Sequence, residues 1–173
     1  MMHMAKVSTG VLALLAATLI MSSAGAASDR QPPYWASISA GQARMRTGPG
    51  RSFPTTWLYR RADLPVKVVQ VIKADKDSKN EASWRKVQDP DGATGWMLVN
   101  LLSDQRTAIV TGSIREMHAK PDATSPIVWR AAPGVVGRIS HCGEGWCAFD
   151  VHGQKGYIET GGIWGVDPDE VID

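Results

Sequence analysis

The chain has 173 residues, with 19 Lys/Arg against 17 Asp/Glu, and 21% of its side chains are charged. A nearly neutral chain that lacks a dense basic stripe is a poor candidate for nucleic-acid binding. Beyond the first two dozen residues no stretch is long and apolar enough to span a bilayer, so no transmembrane segment is expected in the mature chain.

The chain opens like an export signal. Lys6 supplies a positive start, Val11 to Met21 is an almost unbroken apolar run, and Ala24-Gly25-Ala26 offers the small-x-small pattern of a cleavage site. A spanning helix needs about 20 apolar residues, roughly twice this run. Residues 1–26 are therefore expected to be a signal peptide cleaved near Ala26, leaving a periplasmic or secreted protein. The mature charge is unevenly spread: residues 28–103 hold 12 Lys/Arg and 7 Asp/Glu, residues 104–173 hold 6 and 10. An anionic partner would meet the first half rather than the second.

After a polar lead-in that ends at Pro33, Trp35 opens a first unit, expected over residues 34–104. Gln42 to Arg46 alternates Ala43 and Met45 with Arg44 and Arg46, as a half-buried strand requires. Thr47-Gly48-Pro49-Gly50 then breaks it with turn residues. Val66 to Ile72 is rich in β-branched residues and predicts a central strand. Lys73 to Ser83 carries three bases and three acids and reads as a solvated hairpin tip. Trp84 to Gln88 resumes the sheet, Pro90-Asp91-Gly92 turns it, and Gly95 to Val99 forms the next strand.

The same order then returns. Met45, Pro49, Pro54 and Trp57 recur 72 positions later as Met117, Pro121, Pro126 and Trp129. Trp84 recurs as Trp146, 62 positions on, while Gly95 and Trp96 are answered 61 positions on by Gly156 and Tyr157. The change of spacing locates one insertion of about ten residues, Lys73 to Ser83, in the first copy. The second unit, expected over residues 105–173 with a C-terminal tail, predicts strands at Ser113 to Met117, Val135 to His141, Trp146 to Val151 and Gly156 to Glu159. Short strands, frequent Gly and Pro turns and no helical periodicity predict an all-β protein of two small tandem barrels. Each is near the lower size limit for an unaided core, and the tryptophans are one way to fill it.

Ala43-Arg44-Met45-Arg46-Thr47-Gly48-Pro49, then Pro54, Trp84-Arg85-Lys86-Val87 and Gly95-Trp96, resemble the bacterial SH3-like domain family. The second copy departs from the opening motif at His118-Ala119-Lys120 and keeps Gly145-Trp146-Cys147 and Gly156-Tyr157-Ile158. Ile163-Trp164-Gly165-Val166-Asp167-Pro168 is similar to the tails of exported two-copy members. The resemblance implies SH3-like barrels and, for bacterial members, recognition of cell-wall peptides or glycans.

Cys142 and Cys147 flank a short hairpin tip, where opposed strand residues come within bridging distance, and export favours a disulfide between them. Zinc is the rival use, because His141 and His152 are close in sequence, but four residues between the cysteines is at the loose edge of ligand spacing. No metal and no cofactor are expected. A cysteine hydrolase would need a free thiolate held beside a histidine in a dedicated domain, and the acids, such as Asp150 and Glu159, are scattered rather than paired. The chain is therefore expected to bind without catalysing.

The aromatics remain. Trp57, Tyr59, Trp84 and Trp96 are expected to line a groove in the first unit, with Arg44, Arg46, Arg60 and Arg61 supplying positive charge; Arg46 could equally serve a structural ion pair. Trp84 and Trp146 begin strands beside hydrophilic tips, which predicts one wet face for each. The rival to cell-wall recognition is a periplasmic adaptor, whose barrels pack on one another or on a protein partner.

Overall fold

The computed structural model describes residues 30–74 and 82–173; the signal-peptide reading of residues 1–26 and most of the charged insertion lie outside them. The first sheet contains β1 (Tyr34–Ile38), β2 (Ala43–Arg46), β3 (Thr55–Tyr59), β4 (Pro65–Ile72), β5 (Trp84–Gln88), β6 (Thr94–Leu98) and β7 (Leu102–Ser103). The second contains β8 (Thr107–Val110), β9 (Arg115–His118), β10 (Ile127–Ala131), β11 (Val136–Gly143), β12 (Trp146–Val151), β13 (Gln154–Glu159) and β14 (Ile163–Trp164). Their strand orders, β3-β2-β6-β5-β4-β1-β7 and β10-β9-β13-β12-β11-β8-β14, are the same order shifted by seven. The internal repeat of the sequence is thus a repeat of topology, and the protein is two tandem SH3-like β-barrels. No helix among the described residues is long and apolar enough to cross a membrane.

Period-two alternation decides what each strand buries. In β2, Ala43 and Met45 are fully inside while Arg44 is exposed. They join Ile38, Val66, Val68, Val87 and Met97 in the first core. The second core gathers Val110, Met117, Ile139, Cys147, Phe149 and Ile158. Each barrel closes over its own apolar cluster, as a 3.4 Å-per-residue strand with side chains to alternate faces allows on one face only.

The two β-hairpins that differ most are the β4–β5 and β11–β12 connections. In the second barrel Gly143 pairs with Trp146, so Glu144 and Gly145 make the whole turn, both with positive φ (51° and 82°). That is the backbone of a tight two-residue turn, which glycine accepts without strain. In the first barrel residues 73–83 stand between Ile72 and Trp84, which are themselves paired.

Several side chains join the barrels. Trp35 meets Trp164 edge to face with ring centroids 4.6 Å apart. Lys67 lies 4.8 Å from the Trp35 ring centre and donates to Asp167 at 2.8 Å. Arg61 donates to the carbonyl of Gly134 at 2.8 Å. The Trp35 indole N–H is buried without a well-placed acceptor, yet its dipole adds to Lys67, the main cause, in holding the Asp167 carboxyl below its usual range. Arg106 in turn ties the connection to the tail, donating from Nη2 to Glu170 at 2.9 Å and to the Gly165 carbonyl at 2.9 Å.

Candidate binding surface

The β2–β3 hairpin carries most of the residues that the sequence singles out. β3 is the outermost strand of its ladder, and its burial pattern is exposed at four of five positions. Trp57 is 57% exposed, and Phe53, in the loop before β3, is 43% exposed. The loop is held from inside: Arg46 Nη1 donates to the Phe53 carbonyl at 2.6 Å, and the Phe53 ring lies over Gly48 so closely that an added Cβ would come within 2.4 Å of it. Only a glycine permits that approach. Arg46 thus bonds a backbone carbonyl and forms no ion pair among the described residues.

Register splits the expected groove. Arg44 stands opposite Leu58, and Met45 opposite Trp57. Opposed residues share a face, so Arg44 and Leu58 look outward while Trp57 overhangs the rim on the core side. Tyr59 is half-buried, with its hydroxyl donated to Asp89 at 2.7 Å. Burial first, then that hydrogen bond and the charges of Asp89 and Asp91, push the phenol well above its ordinary range, so it stays a neutral donor. Asp89 also accepts from the backbone N–H of Ala93 at 2.7 Å and of Asp91 at 3.1 Å, which makes Tyr59 a strut of the β5–β6 turn.

Two expected groove residues are inside. Trp84 is 3% exposed and Trp96 is 9% exposed. A tryptophan at a strand start was expected to keep a wet face, but the small barrel uses these rings as filling, since each covers more area than any aliphatic side chain. Arg44, Arg60 and Arg61 are exposed cations, and Arg61 also donates to the Gly134 carbonyl at the barrel junction. Phe53, Leu58 and Arg51, all exposed, belong to the surface and were missed. An aromatic inside a Gly/Pro loop was their available signal, because such a loop has no core of its own to bury a ring.

Cys142 and Cys147 form a disulfide, with S–S 2.02 Å. Both cysteines of the chain are thus consumed, and the sulfurs that a zinc ion or a thiolate nucleophile would need are bonded to each other. His141, at the register shift within β11, and His152, in the β12–β13 turn, are both exposed and have positive φ (47° and 53°). His118 lies edge-on to Trp146 at 5.3 Å, with Nδ1 2.9 Å from the Ser125 carbonyl. Among the described residues no group of three or more His, Cys, Asp or Glu side chains could hold a metal ion.

A comparison with curated proteins finds no match. Two solved structures, NlpC2 and NlpC1 from Trichomonas vaginalis, are similar to 79% of this chain at 11% and 13% identity, with TM-scores of 0.33 and 0.32. The chain spans about half the length of each, 49% and 47%. The model of the bacterial SH3 domain family matches twice, at residues 39–104 and 113–165, one match on each sheet and well over half of the chain between them. With the topology duplicated strand for strand and the family match duplicated with it, the chain belongs to the bacterial SH3 domain family.

Proposed function

We propose that this protein is an exported, non-catalytic binding module that recognises a cell-wall peptidoglycan peptide or glycan through the β2–β3 hairpin of its first barrel. The observation that carries the reading is the exposure of Trp57, Phe53 and Leu58 on one hairpin, Trp57 at its core-side rim and Leu58 on its outer face opposite Arg44, where the charged side chains are all arginines: Arg44, Arg46, Arg51 and Arg60. A rigid exposed ring stacks on a sugar face or an extended peptide at little entropic cost, and a guanidinium pairs with the carboxylates of wall peptides. Family membership and the signal-like first 26 residues support the same reading and a periplasmic or secreted location.

The test is sedimentation of the mature full-length protein with purified sacculi across salt. The wild type is expected to pellet and to be released as the Debye length falls below about 8 Å. Trp57→Ala should weaken pelleting about tenfold, the loss of roughly 1.4 kcal/mol of stacking. Arg44→Glu should flatten the salt dependence. Pelleting indifferent to both substitutions sinks the assignment.

An adaptor role is the second reading, and one observation favours it. Ile127 and Val128 are 40% and 51% exposed on β10, the outermost strand of the second ladder, where a partner strand could pair. Failure to pellet together with a stable co-purifying protein, lost on Val128→Lys, would select it.

A further inference from the structure

Arg85 is 5% exposed, the only buried Lys or Arg among the described residues. It lies on β5 two positions before the core residue Val87, so the pleat turns it toward the barrel interior, at the barrel's end. Its Nε donates to the Tyr34 hydroxyl at 3.0 Å and its Nη1 to the Trp84 carbonyl at 3.2 Å. Neither partner is charged. No carboxylate among the described residues lies within ion-pair distance of it, and Asp104, on the rim of the same cleft, is paired with Arg30 instead. A buried cation without a counter-ion is among the costliest arrangements a fold can keep.

The second barrel shows that the fold does not require it. Arg85 pairs with Met97, and at the same register position Cys147 pairs with Ile158. There the barrel end is sealed by the Cys142–Cys147 bridge, with Cys147 fully buried. An apolar group closes this end of the same topology, and the first barrel places a guanidinium there.

That guanidinium opens on a cleft of about 660 Å³ between β1, β5, β7 and the short turn joining β6 to β7. Tyr34, Ala36, Val99 and Leu102 make an apolar wall, and Ser39, Asn100, Ser103 and Gln105 bring hydroxyl and amide groups. We propose that this cleft binds a carboxylate, with Arg85 as its buried counter-ion, on a small acid or chain end that carries an apolar group beside the carboxylate. Tyr34 and the Trp84 carbonyl hold the guanidinium plane in place, and the N–H groups they leave unused are the donors for the ligand. The site shares no residue with the β2–β3 hairpin and stands independently of the function proposed above.

The experiment titrates the full mature protein with acetyl-alanine, with its amide and with inorganic phosphate, following the Arg85 Nε–H resonance by NMR. Acetyl-alanine should shift that resonance saturably, and the amide should bind about tenfold or more weakly, as loss of a charge-assisted pair requires. Arg85→Met should abolish binding at a melting temperature no lower than that of the wild type. Tyr34→Phe, which removes one hydroxyl and leaves the core intact, should weaken it several-fold. No shift with acetyl-alanine, an equal shift with the amide, preference for phosphate, or undiminished binding in Arg85→Met would each overturn the proposal.

Discussion

The two barrels answer the same topological problem with different side chains, and the differences fall where function could lie. In the second barrel Trp129 is drawn in: its indole N–H donates to the Lys155 carbonyl at 2.8 Å and its ring stacks near-parallel on Phe149, centroids 6.5 Å apart. In the first barrel the equivalent Trp57 is 57% exposed, and the residue facing Gly95, as Phe149 faces Gly156, is Val87. A smaller residue beneath leaves the ring without a floor. The second barrel has spent its aromatic on stability and closed its far end with a disulfide, whereas the first leaves Trp57 exposed and places the buried Arg85 at the corresponding end. A repeated fold thus separates what the architecture needs from what one copy has been given in addition.

The sharpest way to break this comparison is to truncate both rings. Trp129→Ala should destabilise the second barrel by about 2–3 kcal/mol, because it removes packing over Phe149 and orphans the Lys155 carbonyl. Trp57→Ala should cost less than about 1 kcal/mol, since little of that ring leaves water on folding. Hydrogen exchange read separately over residues 30–103 and 107–173 checks both. Equal losses would mean that Trp57 is a packing residue after all.

Next in size is the disulfide. Its ends are separated by 5 in sequence, so the closed loop is short and chain-entropy reasoning gives about 2 kcal/mol. Replacing Cys142 and Cys147 together by Ala should lower the second barrel by about that amount and leave exchange in the first unchanged. A loss spread over both barrels would show that they unfold as one unit.

Acid should sharpen the picture of the junction. Lys67, by its hydrogen bond, lowers the Asp167 carboxyl; at Glu170 burial pulls upward and the Arg106 hydrogen bond and charge outweigh it, so that carboxyl is lowered too. Both folded values lie below the ordinary 3.8 and 4.5, so their stabilisation is complete above those values and is lost as pH falls through the lower folded ones. The Trp35–Trp164 contact, followed by tryptophan fluorescence, should therefore loosen below about pH 4. In Lys67→Met the acid step should shrink. An unchanged step would place its origin elsewhere.

The smallest effect is expected from the difference in hairpin length. Deleting residues 75–80 brings the first barrel closer to the second, which turns the equivalent hairpin with Glu144 and Gly145. Loop-closure entropy then changes by well under about 1 kcal/mol. A deletion that unfolds the first barrel would mean that the insertion packs on it.

How much of this could be read from the chain follows from what each residue reports. β2, β4, β5, β6, β12 and β13 were legible within a residue or two, because alternation, β-branched runs and flanking Gly/Pro turns are local signals. β1, β3, β8 and β10 were not marked out: Thr55–Tyr59 and Ile127–Ala131 are outermost strands, exposed at most positions, so they lack the apolar alternation that burial imposes. Of the candidate site, Trp57, Arg44 and Arg60 emerge on the surface as expected, whereas Trp84 and Trp96 went to the interior and Tyr59 to Asp89.

The sequence by itself determined two all-β units of one family, the place of the insertion and the pairing of its two cysteines, because repeats, turn residues and hairpin spacing act over a few neighbours. Which aromatic is floor and which is surface, that Arg61 reaches the Gly134 carbonyl of the other barrel, and that Arg85 is buried with no acid of the described residues beside it were decided only by tertiary structure. Burial is fixed by strands distant in sequence, by which side of the pleat a side chain takes and by what stands on the facing strand, and one residue of register reverses all three.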